Sequence, residues 1–146
     1  MKLGDFGLAR YFSYSQDELY TNRVITLWYR PPELLLGAKK YSSKIDMWSA
    51  GCIMGEIISR QPMFPEAKEP LILRKIYSVC GSPSESNWPG VSKYPLFSEL
   101  GPKETKPRVL KEIYSKFEKF DETGLDLLDK LLSLNPAERL SAEEAL

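Results

Sequence analysis

The chain has 146 residues, 42% of them apolar and 27% charged, which gives room for one domain with a sizeable core. Its 20 basic residues cancel its 20 acidic ones, so bulk charge does not argue for a nucleic-acid-binding or membrane-surface protein. With no histidine, His-based catalysis and zinc sites with His ligands are excluded, and 2 cysteines do not make a disulfide framework.

Met1-Lys-Leu-Gly-Asp5 reads as neither a signal nor a transit peptide, and no run is apolar enough to span a bilayer. Met1 to Leu3 reads as the tail of a strand entering an Asp5-Phe-Gly7 turn. Asp is a hard ligand of the kind Mg²⁺ takes beside phosphate oxygens, and Gly7 suits a chain reversal. The plainer reading is a surface turn, for which Asp and Gly are ordinary residues.

Arg10 to Arg23 has neither helical nor strand periodicity and carries Ser13, Tyr14, Ser15, Tyr20 and Thr21, so it is read as a mobile loop with phosphorylatable hydroxyls. A phosphate at Thr21, gripped by arginines such as Arg10, would turn a loose loop into a fixed one. Simple solvation is the bland alternative for any one of these hydroxyls. Val24 to Tyr29 is β-branched and aromatic, and predicts extended backbone. Pro31-Pro32 ends it, and Pro32 to Gly37 predicts a short helix with proline at its start and glycine past its end. Glu33 stands among leucines; if buried it needs a cation, for which Arg139 is the candidate.

Ser42 or Ser43 is placed to cap a helix from about Ile45 to Ser59. Apolar residues, Trp48 and Cys52 among them, cover nearly every face, which predicts central burial. Cys52 is read as a buried structural thiol. Gly51 and Gly55 lie four apart and predict close approach of a neighbouring backbone. Asp46 is either an ordinary acid of the first turn or an acceptor for backbone amides elsewhere.

Glu69 to Cys80 predicts a helix with Ile72, Ile76, Val79 and Cys80 on one side, and Ser82-Pro-Ser-Glu85 has the form of a capping box. Ser82 to Arg108, rich in Pro, Gly, Ser and Lys, is expected to be an ordered surface insertion pinned by Trp88, Tyr94 and Phe97. Gly124 to Leu134 predicts an amphipathic helix with Leu125, Leu128 and Leu132 in register. Ser141-Ala-Glu-Glu144 forms a second capping box that opens a further helix.

Asp5-Phe-Gly7, Thr26-Leu-Trp-Tyr-Arg-Pro-Pro-Glu33 and Asp46-Met-Trp-Ser-Ala-Gly51, in this order and spacing, resemble the C-terminal lobe of eukaryotic protein kinases. The resemblance covers essentially the whole chain. It implies a mainly α fold, the C-terminal lobe of the α+β protein-kinase fold, incomplete at both ends. Residues 1–146 are then that lobe only, with residues 1–33 as activation segment and 34–146 as helical subdomain carrying an insert at about 82–108. Pro31-Pro-Glu33 stands where most kinases have Ala-Pro-Glu, a mild departure found in one branch. Tyr20-Thr-Asn-Arg23 without a Thr-x-Tyr pair, Pro31-Pro-Glu-Leu-Leu-Leu-Gly37, Gly51-Cys-Ile-Met54 and Cys80-Gly-Ser82 resemble the cyclin-dependent kinases. Among these the transcription-elongation subgroup, which acts on the RNA polymerase II C-terminal repeat, is the nearest match.

The resemblance further implies roles. Asp5 would ligate Mg²⁺ bridging ATP phosphates, Thr21 would be the activating phosphosite and Arg10 one of its grips. Val24, Ile25 and Arg30 would form the pocket for the residue after the target Ser or Thr. Ile25 would take a strained conformation that turns its carbonyl toward Arg30. Glu33 with Arg139, and Asp46 with Trp48 at the head of the central helix, would be structural. The implied partners are a T-type or K-type cyclin and a protein substrate with Ser/Thr-Pro sites, with no membrane and no direct nucleic-acid contact; the implied location is the nucleus.

The chain holds no glycine-rich phosphate loop, no Val-Ala-Ile-Lys-type lysine and no His-Arg-Asp loop. Catalytic base and lysine are therefore absent, and the chain alone is expected to be inactive, unlikely to bind ATP and Mg²⁺ and only marginally stable. Its central helix is expected to expose apolar surface and to leave Asp46 without backbone donors. The expectation is a piece of a cyclin-dependent kinase. The alternative is a non-catalytic truncated kinase that binds cyclin or substrate.

Overall fold

The computed structural model describes Gly4, residues 6–9 and residues 24–146 apart from Lys119; of Leu8 it describes only the backbone. Asp5, Arg10 and Thr21, and the strand expected at Met1 to Leu3, lie outside the described residues. Among the described residues six helices follow one another: α1 (Pro32–Leu35), α2 (Lys44–Ser59), α3 (Glu69–Cys80), α4 (Phe97–Leu100), α5 (Leu110–Tyr114) and α6 (Glu122–Leu131). Single 3₁₀ turns stand at Phe6–Leu8, Leu27–Tyr29 and Val91–Lys93. Among the described residues there is no strand, and one antiparallel bridge joins Cys80 to Arg108. None of the described helices is long and apolar enough to cross a membrane.

The core is built around α2. Trp48 and Cys52 from this helix are buried with Leu35 and Leu36 of the α1 segment, Ile72, Leu73 and Ile76 of α3, and Leu128 and Leu132 of the α6 segment. Each such side chain contributes roughly 1.5–3 kcal/mol through burial. The expected all-round burial of α2 does not hold, since Ile53 and Ile57 are 41% and 65% exposed. That open side agrees with the apolar surface expected on this helix.

The two glycines of α2 do permit close approach, but to side chains rather than to backbone. A Cβ on Gly51 would stand 3.0 Å from Leu131 and Leu132, and one on Gly55 2.6 Å from the Met63 sulfur and 2.7 Å from the Tyr114 hydroxyl. Cys52 is a buried thiol whose pKa burial drives well up, and burial pushes that of Cys80 up to about 12, so both are inert at neutral pH.

Local sequence and structure part company at several places. Leu27–Tyr29 forms a 3₁₀ turn instead of extended backbone, because its groups are bonded to α2 and to the approach to α3, and these contacts override β-propensity. Ser82-Pro-Ser-Glu85 opens no helix. The Ser82 hydroxyl is committed to the segment before α5, donating to the Glu104 carbonyl and accepting from the Lys106 amide, both at 2.9 Å. Finally, α6 begins at Glu122 because Asp121 caps it, taking the Gly124 amide at 2.7 Å. At the end of the chain the Ser141 and Glu144 capping box does form, each side chain taking the other's amide at 3.2 and 2.7 Å. Turns rather than a helix follow it.

Between α3 and α5, Trp88 is 2% exposed and meets Tyr94 edge-on at 5.2 Å, while Phe97 packs on the core, so the three rings do anchor this stretch. Glu85 ties the turn between them. Its carboxylate accepts the Ser92 hydroxyl, the Gly90 amide at 2.7 Å and the Ser92 amide at 3.0 Å. These bonds, the Ser92 hydroxyl foremost, lower its pKa from 4.5 to about 2.

A depressed carboxylate stabilises the fold fully above its unfolded value and loses that contribution as pH falls through the folded one. Between about pH 5 and about pH 2 the protein is therefore expected to lose stability, and Glu85→Gln to lose less of it than the parent. Acid titration followed by circular dichroism reads this directly; superimposable acid limbs would refute it.

Candidate functional site

The described residues closest to the expected chemistry are Val24 to Glu33, and each is held by groups distant in sequence. Arg30 is the hub. Its Nε donates to the Val24 carbonyl at 3.0 Å, Nη2 to the Ile25 carbonyl at 3.1 Å and Nη1 to the Glu69 carboxylate at 2.7 Å. One planar guanidinium thus takes two successive carbonyls and one acid, which its rigid fork allows and a lysine would not. Ile25 has φ 69°, a left-handed conformation that a β-branched residue adopts only under external hold, at about 1–3 kcal/mol.

The next residues are clamped too. The Trp28 indole N–H donates to the Glu66 carbonyl at 3.0 Å, and the Tyr29 hydroxyl donates to Glu56 of α2 at 2.8 Å. That bond to Glu56 raises the Tyr29 pKa, since it favours the protonated phenol. Ser49 of α2 donates to the Tyr29 carbonyl at 3.0 Å.

Glu33 and Arg139 are buried together, 2% and 1% exposed. Arg139 Nη1 and Nη2 reach the two Glu33 oxygens at 2.7 and 2.9 Å, a bidentate pair. The guanidinium also donates to the carbonyls of Lys44, Ser133 and Leu134. It lies 5.2 Å from the Trp48 ring centroid, a cation–π contact on the same residue that stacks on Phe64. Asp46 sits in the first turn of α2 with no side-chain hydrogen bond among the described residues, and desolvation raises its pKa.

The structure thus brings Val24, Ile25 and Arg30 into one cluster and Glu33, Trp48 and Arg139 into another. Glu69, Glu56 and Arg108 are among the contributors that were not anticipated. Arg108 joins α3 to α6, donating to the carbonyls of Cys80, Leu132 and Asp129 and to the Asp129 carboxylate at 2.7 Å. Nothing local in sequence signals these roles, because each depends on a partner 21 or more residues away. No group of three or more Cys, Asp or Glu converges as a metal site among the described residues.

The model of the protein kinase domain matches residues 1–146. Cyclin-dependent kinase C-1 of Oryza sativa subsp. japonica is 53% identical over 146 residues, which are 100% of this chain and 28% of that protein. Cyclin-dependent kinase 12 of Drosophila melanogaster is 50% identical over 147 residues, 100% of this chain and 12% of that protein. Among solved structures, the yeast RNA Pol II CTD kinase CTDK-1 complex matches with TM-score 0.89 at 36% identity, covering 97% of this chain and 46% of that one. The CAK complex of Chaetomium thermophilum bound to ATP-gamma-S matches with TM-score 0.90 at 42% identity, covering 99% of this chain and 44% of that one. The chain therefore spans less than half the length of each of these relatives. Its helices are those of a kinase C-terminal lobe, and the chain belongs to the protein kinase family, where its relatives are cyclin-dependent kinases.

Proposed function

We propose that this chain is the substrate-binding lobe of a cyclin-dependent Ser/Thr kinase that transfers the γ-phosphoryl group of ATP to Ser/Thr-Pro sites. The RNA polymerase II C-terminal repeat is the proposed substrate, and the solved CTD kinase complex supports that reading. A cyclin of T or K type is the proposed partner, and the nucleus the proposed location.

The observation that carries this reading is the Ile25 carbonyl. With φ 69° at Ile25, that oxygen faces Arg30 and is occupied at 3.1 Å. A substrate residue following the target Ser or Thr then finds no acceptor for its amide N–H. An unpaired buried amide costs about 1–3 kcal/mol, and proline has none to leave unpaired. The preference for proline thus arises from a lost hydrogen bond in its competitors, not from a gained contact.

Asp5 is proposed as a ligand for Mg²⁺, its hard carboxylate suiting that ion; when bound, the ion neutralises charge on the phosphates. Thr21 is proposed as the phosphosite that orders the loop, with Arg10 as one grip.

The test uses the complete kinase with its cyclin and paired peptides differing only in Pro or Ala after the target serine. The Ala peptide is expected to react about 5- to 150-fold more slowly in kcat/KM, the rate equivalent of that penalty. Equal rates would sink the reading.

A further inference from the structure

We propose that Glu69 is a specificity-determining positioning residue, which sets proline selectivity by fixing the Arg30 guanidinium. The inference rests on the reading of the Ile25 carbonyl given above and extends it to a residue on another helix.

Arg30 has a long side chain with several rotatable bonds, yet its two contacts to the loop work only in one orientation of the guanidinium plane. Nε and Nη2 must face Val24 and Ile25 at once. A flexible arginine held by two neutral carbonyls can rotate away and pair with water instead. The third contact prevents this. Glu69 takes Nη1 at 2.7 Å, on the side of the fork left free by the carbonyls. Here both partners are charged, which makes this bond stronger than either contact to a neutral carbonyl, so it sets the plane in which the other two donors lie.

Glu69 is itself well placed to act as a fixed post. It is the first residue of α3, where the helix dipole favours a carboxylate. That helix is nailed to the core by Ile72, Leu73 and Ile76, each 0% exposed. A second tie runs in parallel, from the Trp28 indole to the Glu66 carbonyl just before α3. The strained Ile25 conformation, which has no local cause in a β-branched residue, is thereby held from the start of α3 through Arg30.

The pair is also partly solvated, the Arg30 side chain 12% and the Glu69 side chain 41% exposed. Such a pair adds little to global stability. Its removal should therefore change selectivity while leaving the fold intact, which separates positioning from a merely structural role.

The experiment compares parent, Glu69→Ala and Glu69→Lys in the complete kinase with its cyclin, on the Ser-Pro and Ser-Ala peptides. Melting temperature is the control. Glu69→Ala is expected to cut the Pro-over-Ala ratio of kcat/KM at least about fivefold, the effect of freeing one charge-assisted bond, with an unchanged melt. Glu69→Lys, which repels the guanidinium, is expected to cut it further. A proline-selective parent whose ratio persists in both variants overturns the role of Glu69 and leaves the proposed function standing. A parent with no proline selectivity overturns both.

Discussion

Replacing Arg139 by Ala is expected to cost about 3–5 kcal/mol of folding stability, as breaking one side of a buried ion pair does. The side chain is 1% exposed, and four partners lose their donor together: the Glu33 carboxylate and the carbonyls of Ser133, Lys44 and Leu134. The stack on Trp48 goes with them. Glu33→Ala should cost less, because Arg139 keeps its three carbonyls and its aromatic face. Replacing both residues by apolar ones should cost less than the two single losses added together, since neither charge is then stranded. Urea unfolding measures all three. A loss below about 1 kcal/mol for Arg139→Ala would mean that the pair is dispensable.

Trp48→Ala is the second large effect, expected at about 3–5 kcal/mol for a fully buried ring. Trp48 is 0% exposed, stacks on Phe64 with ring centroids 6.1 Å apart and carries the Arg139 guanidinium on its other contact. Its indole N–H is buried without a hydrogen-bond partner among the described residues. Trp48→Phe removes that donor while keeping most of the aromatic area, so it should cost under half as much as the alanine variant. A double-mutant cycle of Trp48 with Arg139 should show non-additivity, because the two share one contact. Equal losses for Trp48→Phe and Trp48→Ala would show that ring area is not what stabilises this site.

Much of this was legible in the chain. The central helix was expected from Ile45 and begins at Lys44, and the helix from Glu69 to Cys80 falls where periodicity placed it. Both carry a strong apolar pattern, which one sequence window contains in full. Glu33 stood out as a lone acid among leucines, and its need for a cation followed from burial cost alone. The failures share a different cause. Ser82 and Glu85 have the spacing of a helix cap, yet Ser82 bonds to Glu104 and Lys106, and Glu85 to Gly90 and Ser92. The same hydrogen-bonding groups serve a cap or a long-range tie, and spacing cannot choose between them. Val24 to Tyr29 has β-forming composition, but its shape is imposed by Glu56, Glu66 and Glu69 from outside the window.

By itself the sequence determined the family and the positions of α2 and α3, because these follow from motif order and from the apolar pattern within each window. The tertiary structure alone decided what surrounds the loop at Ile25. A left-handed isoleucine is unfavourable in any local window, and only partners brought in from α2 and α3 can offset it. The glycines of α2 make the same point from the other side: their spacing announced a close approach, and only packing could say that Leu131, Leu132, Met63 and Tyr114 make it.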